Sequence, residues 1–197
     1  MSYAPKSERE RFLSQQEFEK LLLAADELGG DYAFMLVYAG GALGLRIGEA
    51  VSLSRANFKR LRENLVEVAT LKRRGHPVEE VAIDDESRDL FADYLAALKG
   101  HWLFPSTDSQ RPGGHVSLRH ANRLFKRVVL AAGLNPKFSF HALRHYRGLR
   151  LWQSTKDMKF VQLQLRHASM RHTPRYVHMD EKSRVAVARK VGTFRRR

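Results

Sequence analysis

The chain has 197 residues, 43% of them hydrophobic, enough for a sizeable core in one domain, with two as the alternative. It contains no cysteine, which excludes disulfides, thiolate metal sites and cysteine nucleophiles and leaves Ser, Tyr, His and the acids to carry any chemistry. With 35 Lys+Arg against 21 Asp+Glu the formal net charge is +14, so a polyanionic partner leads, nucleic acid being the commonest; a basic protein with a merely solvated surface is the bland alternative.

Residues 1–12 are polar and charged and read as a lead-in segment without the apolar core of a signal peptide. No later run is long enough to span a bilayer, and the expectation is a soluble, cytoplasmic protein with no membrane partner. Ser14-Gln-Gln-Glu17 is a capping box, and Phe18, Leu21, Leu22 and Ala25 follow it at helical spacing, so a first helix starts there and ends at Gly29-Gly30. A second apolar helix, about Tyr32 to Ala39, runs into Gly40-Gly41-Ala-Leu-Gly44, where the glycines imply a turn with positive φ or close backbone approach. Arg46 and Glu49 follow. Their spacing fits a plain helical salt bridge, but Arg46 stands among apolar residues, where a buried acid partner would fix its guanidinium.

Asn64 to Thr70 and Val78 to Ile83 are β-rich runs, and Leu71 to Pro77 between them, carrying Lys72, Arg73 and Arg74, reads as the basic tip of a hairpin. A helix from about Asp85 to Leu98 turns Leu90, Phe91, Tyr94, Leu95 and Leu98 inward and is closed by Gly100. Trp102-Leu-Phe104 is a short apolar run, and Pro105 to His115 is a candidate mobile loop. The helix starting at Ser117 buries Leu118, Ala121, Leu124, Phe125, Val128 and Val129, ends at Gly133, and carries Arg119, Arg123, Lys126 and Arg127 as a basic stripe. Ser139 is positioned to cap the helix bearing His141 and Arg144, which share one face. A helix from about Asp157 to Leu165 leads to His167, and Thr173-Pro174 places Tyr176 in the first turn of a short helix.

Two arginines, two histidines, a lysine and a tyrosine without an acidic cluster suit a phosphodiester. Arg46 and Arg144 can clamp its anionic oxygens and stabilise the pentacoordinate state. A tyrosine hydroxyl, with its pKa near 10, needs cations for its phenolate and a base for its proton; His141 can be that base, Lys72 the acid for the departing 5′ oxygen, and His167 a phosphate ligand. His141 and His145 have metal-pair spacing, but the glutamate of a zincin-type helix is absent and no third ligand is obvious, so no metal or other cofactor is expected. Tyr176 alone reads more simply as a packing residue; only the combination lifts it.

These residues resemble the tyrosine recombinases, also called phage integrases. Gly44-Leu-Arg46-Ile-Gly-Glu49 resembles the family's first arginine box, Lys72 its hairpin lysine, His141-Ala-Leu-Arg144 its His-x-x-Arg box, His167 the histidine before the nucleophile, and Tyr176 the nucleophile. The resemblance covers about Phe12 to Asp180. It implies an α+β, mainly α-helical catalytic domain over 13–180 with a small antiparallel β-hairpin sheet. It also implies DNA strand exchange through a covalent 3′-phosphotyrosine, with double-stranded DNA as partner, a tetramer on DNA, and a nucleoid-associated setting. Residues 181–197 then form a basic segment that packs on a neighbouring protomer or contacts DNA. Arg166 departs from the pattern, standing where members usually carry glycine, and is expected to alter the turn or add a DNA contact. The N-terminal core-binding domain usual in the family has no counterpart, which leaves an excised catalytic domain or a self-contained recombinase similar to the fimbrial-switch invertases; the initiator Met1 favours a natural or recloned start. Rival readings are a type IB topoisomerase or telomere resolvase, and a catalytically silent DNA-binding accessory protein.

Overall fold

The capping box at Ser14 forms as the sequence dictates: Glu17 N donates to Ser14 Oγ at 3.2 Å and Ser14 N to Glu17 Oε2 at 2.8 Å. It starts α1, Gln15–Ala42, in a computed structural model that describes residues 13–70, 75, 77–106 and 112–166. Gly29 and Gly30 are both non-helical, with Gly30 at φ +55°, so the first helical segment ends there as the sequence predicts and a second runs on to Ala42. Gly40 and Gly41 are helical and meet the second of the two expectations for this stretch. They are there for close approach, since a Cβ on Gly40 would lie 2.6 Å from Leu143 Cδ1 and one on Gly41 would lie 2.5 Å from the Phe18 ring. Only Gly44, at φ +61°, makes the turn.

Short helix α2, Ile47–Val51, and two 3₁₀ turns, Arg55–Phe58 and Leu61–Glu63, lead to β1, Leu65–Ala69. It pairs antiparallel with β2, Val78–Ala82, in the register Leu65↔Ala82 to Ala69↔Val78. The hairpin is therefore where the alternation placed it. Its tip, 71–74 with Lys72, lies outside the described residues. Helix α3, Asp85–Ala97, is capped by Asp84, whose side chain accepts from Ser87 N. Phe91 is its buried anchor, while Leu90, Tyr94, Leu95 and Leu98 are half-buried against the same core. The helix stops at Leu98, which has turned extended, before Gly100 is reached.

Trp102 bridges to Ser54, and Leu103 N donates to Leu53 O. The loop expected to be mobile is tied at its base by a Pro105–His115 bridge and by Trp102 Nε1 donating to Gly113 O, while residues 107–111 lie outside the described set. Helix α4, Leu118–Ala131, is capped by Ser117 and buries Ala121, Phe125, Val128 and Val129; Leu118, expected inward, is 50% exposed. Helix α5, His141–Thr155, begins without help from Ser139. Its first position is preceded by Phe140, already helical and without a side-chain cap, and Ser139 contributes only its carbonyl to Ala142 N. Helix α6, Met158–Gln164, is capped by Asp157.

One core joins α1, the hairpin, α3, α4 and the first half of α5, with Phe125 and Phe140 edge to face at 5.4 Å. A smaller cluster of Leu151, Phe160, Val161 and Leu165 closes the α5–α6 end. Gln164 Oε1 accepts from Ala82 N at 3.1 Å, so the end of α6 is stitched to β2. No described helix is long and apolar enough to cross a membrane.

Candidate active site

The Gly44 turn delivers Arg46 to the N-terminus of α2, and one turn later α2 buries Glu49 at 1% exposure. A buried carboxylate must be paired to stay charged. Glu49 Oε1 accepts from Arg46 Nη1 at 2.7 Å, and Oε2 accepts from Arg46 N at 2.9 Å. The pair is thus more than a solvated helical salt bridge: Glu49 is itself the buried acid that fixes Arg46. Burial alone would push the Glu49 carboxyl up, but Arg166 and Arg46 outweigh it and hold it below the ordinary range.

Arg144 comes to the same place from α5. It is 2% exposed, with Nη1 donating to Gly44 O at 2.7 Å, Nη2 donating to Leu165 O, and Nη1 3.8 Å from Glu49 Oε2. These two hydrogen bonds use two of the five N–H groups of the guanidinium. Burial, with Arg166 and Arg46 nearby, pushes it down to about 9. Burial is the main reason its charged form is disfavoured, Glu49 and Glu79 opposing, and an anionic oxygen is a ligand that would favour it further.

The third arginine is Arg166. Neither expectation for it describes what it does, because its side chain is fully buried and its Nη2 donates to Glu49 Oε2 at 3.0 Å, away from any surface DNA could touch. Nη1 donates to Leu43 O at 3.4 Å and Gln164 O at 3.2 Å, while Nε has no hydrogen-bond partner among the described residues. Its φ of +53° explains why glycine suits this position: the turn after α6 is left-handed, at a cost of about 1–2 kcal/mol for a side-chain-bearing residue. Burial pushes its guanidinium down and Glu49 opposes that shift. Three guanidinium groups therefore share one carboxylate. Glu79 on β2 adds a more distant negative field on Arg144 and Arg166, and is itself held by Thr70 Oγ1 at 2.6 Å, at the base of the hairpin tip.

His141 is exposed at the start of α5, its ring edge-on to His145 with centroids 4.5 Å apart, and it shares a groove with Arg144, Trp152, Met158 and Leu165. No group of three or more His, Asp or Glu able to hold a metal occurs among the described residues. The structure thus brings Arg46, Glu49 and Arg144 together, with His141 on the same helix face as Arg144. Lys72, His167 and Tyr176 lie outside the described residues, as do His172, His178 and 181–197.

Sequence reasoning missed the buried role of Arg166. It also passed over Arg147, which is 2% exposed, has both terminal nitrogens without hydrogen-bond partners among the described residues, and is opposed in charge by Asp84. The local sequence marked Arg166 only as a side chain at a glycine-type turn, and nothing in it pointed that side chain to Glu49. Nothing in the local pattern around Arg147 marked it.

A mainly helical domain with one β-hairpin is the fold of tyrosine recombinase catalytic domains. The integrase from mycobacterium phage Brujita superposes with a TM-score of 0.70 at 19% identity, over 100% of this chain and 61% of that one. Residues 11–183 match the Phage integrase family, and the chain belongs to it. It is 30% identical over 148 residues to tyrosine recombinase XerC of Erythrobacter litoralis, covering 73% of this chain and 45% of that protein. It is 25% identical over 170 residues to the type 1 fimbriae regulatory protein FimE of Escherichia coli K12, covering 85% of each. The chain therefore spans about half the length of the XerC relative and most of the FimE relative.

Proposed function

We propose that the protein is a site-specific DNA strand transferase that cuts and rejoins duplex DNA through a covalent 3′-phosphotyrosine on Tyr176. The observation that carries this reading is the clamp. Arg46 and Arg144, 144 − 46 = 98 positions apart, converge on Glu49, and such a pair of forks suits the equatorial oxygens of a pentacoordinate phosphorus. In this reading the Tyr176 hydroxyl oxygen bonds to phosphorus, its proton passes to His141, and the 5′ oxygen leaves with a proton from Lys72 while His167 holds a non-bridging oxygen. Rejoining reverses the exchange with a 5′-hydroxyl of a partner strand. The exposed stripe Arg119, Arg123, Lys126 and Arg127 on α4 suits the phosphate backbone of double-stranded DNA, and a tetramer on two DNA sites in the nucleoid is the assembly that strand exchange calls for.

The test is metal-free incubation with nicked suicide duplexes. A covalent adduct is expected from the wild type and none from Tyr176→Phe. Arg144→Ala should abolish the adduct while leaving salt-sensitive binding largely intact, since the clamp acts mainly in the transition state. Binding by the wild type without any adduct would overturn the enzyme reading in favour of a DNA-binding accessory protein.

A further inference from the structure

Arg166 occupies the one carboxylate that organises the clamp, at a backbone position unfavourable to it. Glu49 has two oxygens for three arginines. Oε1 is taken by Arg46 Nη1, and Oε2 is taken by Arg46 N and Arg166 Nη2 at 2.9 and 3.0 Å, which leaves Arg144 Nη1 standing off at 3.8 Å. Arg144 is accordingly hydrogen-bonded by the carbonyls of Gly44 and Leu165, with the Glu49 carboxylate as a longer-range counter-charge.

We propose that Arg166 is a positioning residue for the phosphate clamp: it holds the Glu49 carboxylate from the interior side, oriented toward Arg46, and by filling Oε2 it keeps the Arg144–Glu49 ion pair long, at 3.8 Å, and without a hydrogen bond. The fork of Arg144 then keeps its unmet demand for negative charge for a phosphate oxygen. Without Arg166, Oε2 would be open to Arg144, and the pair would close into a hydrogen-bonded one that competes with phosphate. The charged and titratable groups that act on Glu49 and its arginines among the described residues are Arg46 beside α2, Arg144 on α5, Arg166 after α6 and Glu79 on β2. Of these, Arg166 and Arg46 hold the Glu49 carboxyl down. Removing Arg166 should therefore let Glu49 take up a proton at higher pH.

This inference rests on the strand-transfer reading for its kinetic arm but not for its stability arm. Arg166→Gly suits the left-handed turn, so the fold should survive the change, and Arg166→Lys restores the charge. The thermal midpoint of the DNA-free protein is measured from about pH 3 to 7, a window that brackets a carboxyl held below its ordinary value, and single-turnover adduct formation on nicked DNA is measured at neutral pH. For Arg166→Gly the acid limb of the stability profile should move to higher pH and adduct formation should slow, and Arg166→Lys should return both most of the way. Arg166→Gly should also need more inorganic phosphate than the wild type to reach the same gain in thermal midpoint. Acid limbs that coincide with the wild type, or a uniform loss at every pH that Arg166→Lys does not repair, would overturn the proposal and leave Arg166 a packing residue. If the wild type forms no adduct, the strand-transfer reading fails, and the stability profiles with the phosphate titration still decide the role of Arg166.

Discussion

Glu49→Gln removes the charge around which the arginines are arranged while barely changing shape. The carboxylate takes three hydrogen bonds, from Arg46 Nη1, Arg46 N and Arg166 Nη2 at 2.7, 2.9 and 3.0 Å. A glutamine replaces one acceptor oxygen with an NH₂ donor. Either way round, that NH₂ faces donors: Arg46 Nη1 at one position, Arg46 N and Arg166 Nη2 at the other. Each close arginine gains about 4 kcal/mol from a unit charge at roughly 4 Å in a medium of effective dielectric near 20. Desolvation takes back part of that, and losing one partner of a buried pair costs about 3–5 kcal/mol net. In a domain of this size 1 kcal/mol moves the thermal midpoint by about 2–4 °C, so a fall on the order of 10 °C is expected. Urea unfolding of wild type and Glu49→Gln side by side measures it. The sign with pH follows from the lowered carboxyl: the contribution is complete above the unfolded glutamate value of about 4.3 and is lost as pH falls through the folded value. Wild type should therefore show an acid-dependent loss that Glu49→Gln lacks. A difference of less than about 1 kcal/mol at neutral pH would refute the buried-pair argument, being the size expected of an exposed salt bridge.

The two serines read as caps should separate cleanly. Ser14→Ala is expected to cost about 1 kcal/mol through loss of its bond from Glu17 N, whereas Ser139→Ala, which removes no cap, should stay within about 0.5 kcal/mol in the same urea titrations. Gly40→Val should destabilise by more than the roughly 1–3 kcal/mol usual for overpacking, because even a Cβ there meets Leu143 and the Phe140 ring at 2.6 and 2.7 Å. On α4, Arg123→Ala with Arg127→Ala should flatten the log–log salt dependence of DNA binding by about 0.9 for each side chain that neutralises a phosphate. An unchanged slope would take that stripe out of the DNA interface.

Much of the scaffold was legible because local signals and tertiary structure agree in it. The Ser14–Glu17 box, the alternating runs that became β1 and β2, and the helix beginning near Asp157 are short-range patterns that the fold keeps. Of the two readings open for the glycine-rich stretch, packing decides at Gly40 and Gly41: they cost a helix some stability, but no other residue lets α1 approach α5 and Phe18 so closely. Ser139 failed as a cap because the chain is already helical at Phe140. At the site, Arg46, Glu49 and Arg144 were recognisable by type and spacing, and the convergence of Arg46 with Arg144 is seen directly. The role of Arg166 was hidden because it depends on a contact with Glu49, 117 positions away, to which no local periodicity points.

The seat of Arg144 has a consequence for how this site tolerates sequence change. Its two hydrogen bonds go to the main-chain carbonyls of Gly44 and Leu165, atoms that every amino acid possesses. Substitutions at these two positions are thus filtered by backbone shape and by volume, and hardly at all by side-chain chemistry. Leu165→Met can leave the arginine where it is, while Gly44→Ala, at φ +61° with Leu165 Cδ2 only 2.5 Å from the new methyl, displaces the carbonyl itself. One half of the clamp is robust to mutation because it is anchored to the polymer backbone; the other half stands or falls with a single carboxylate.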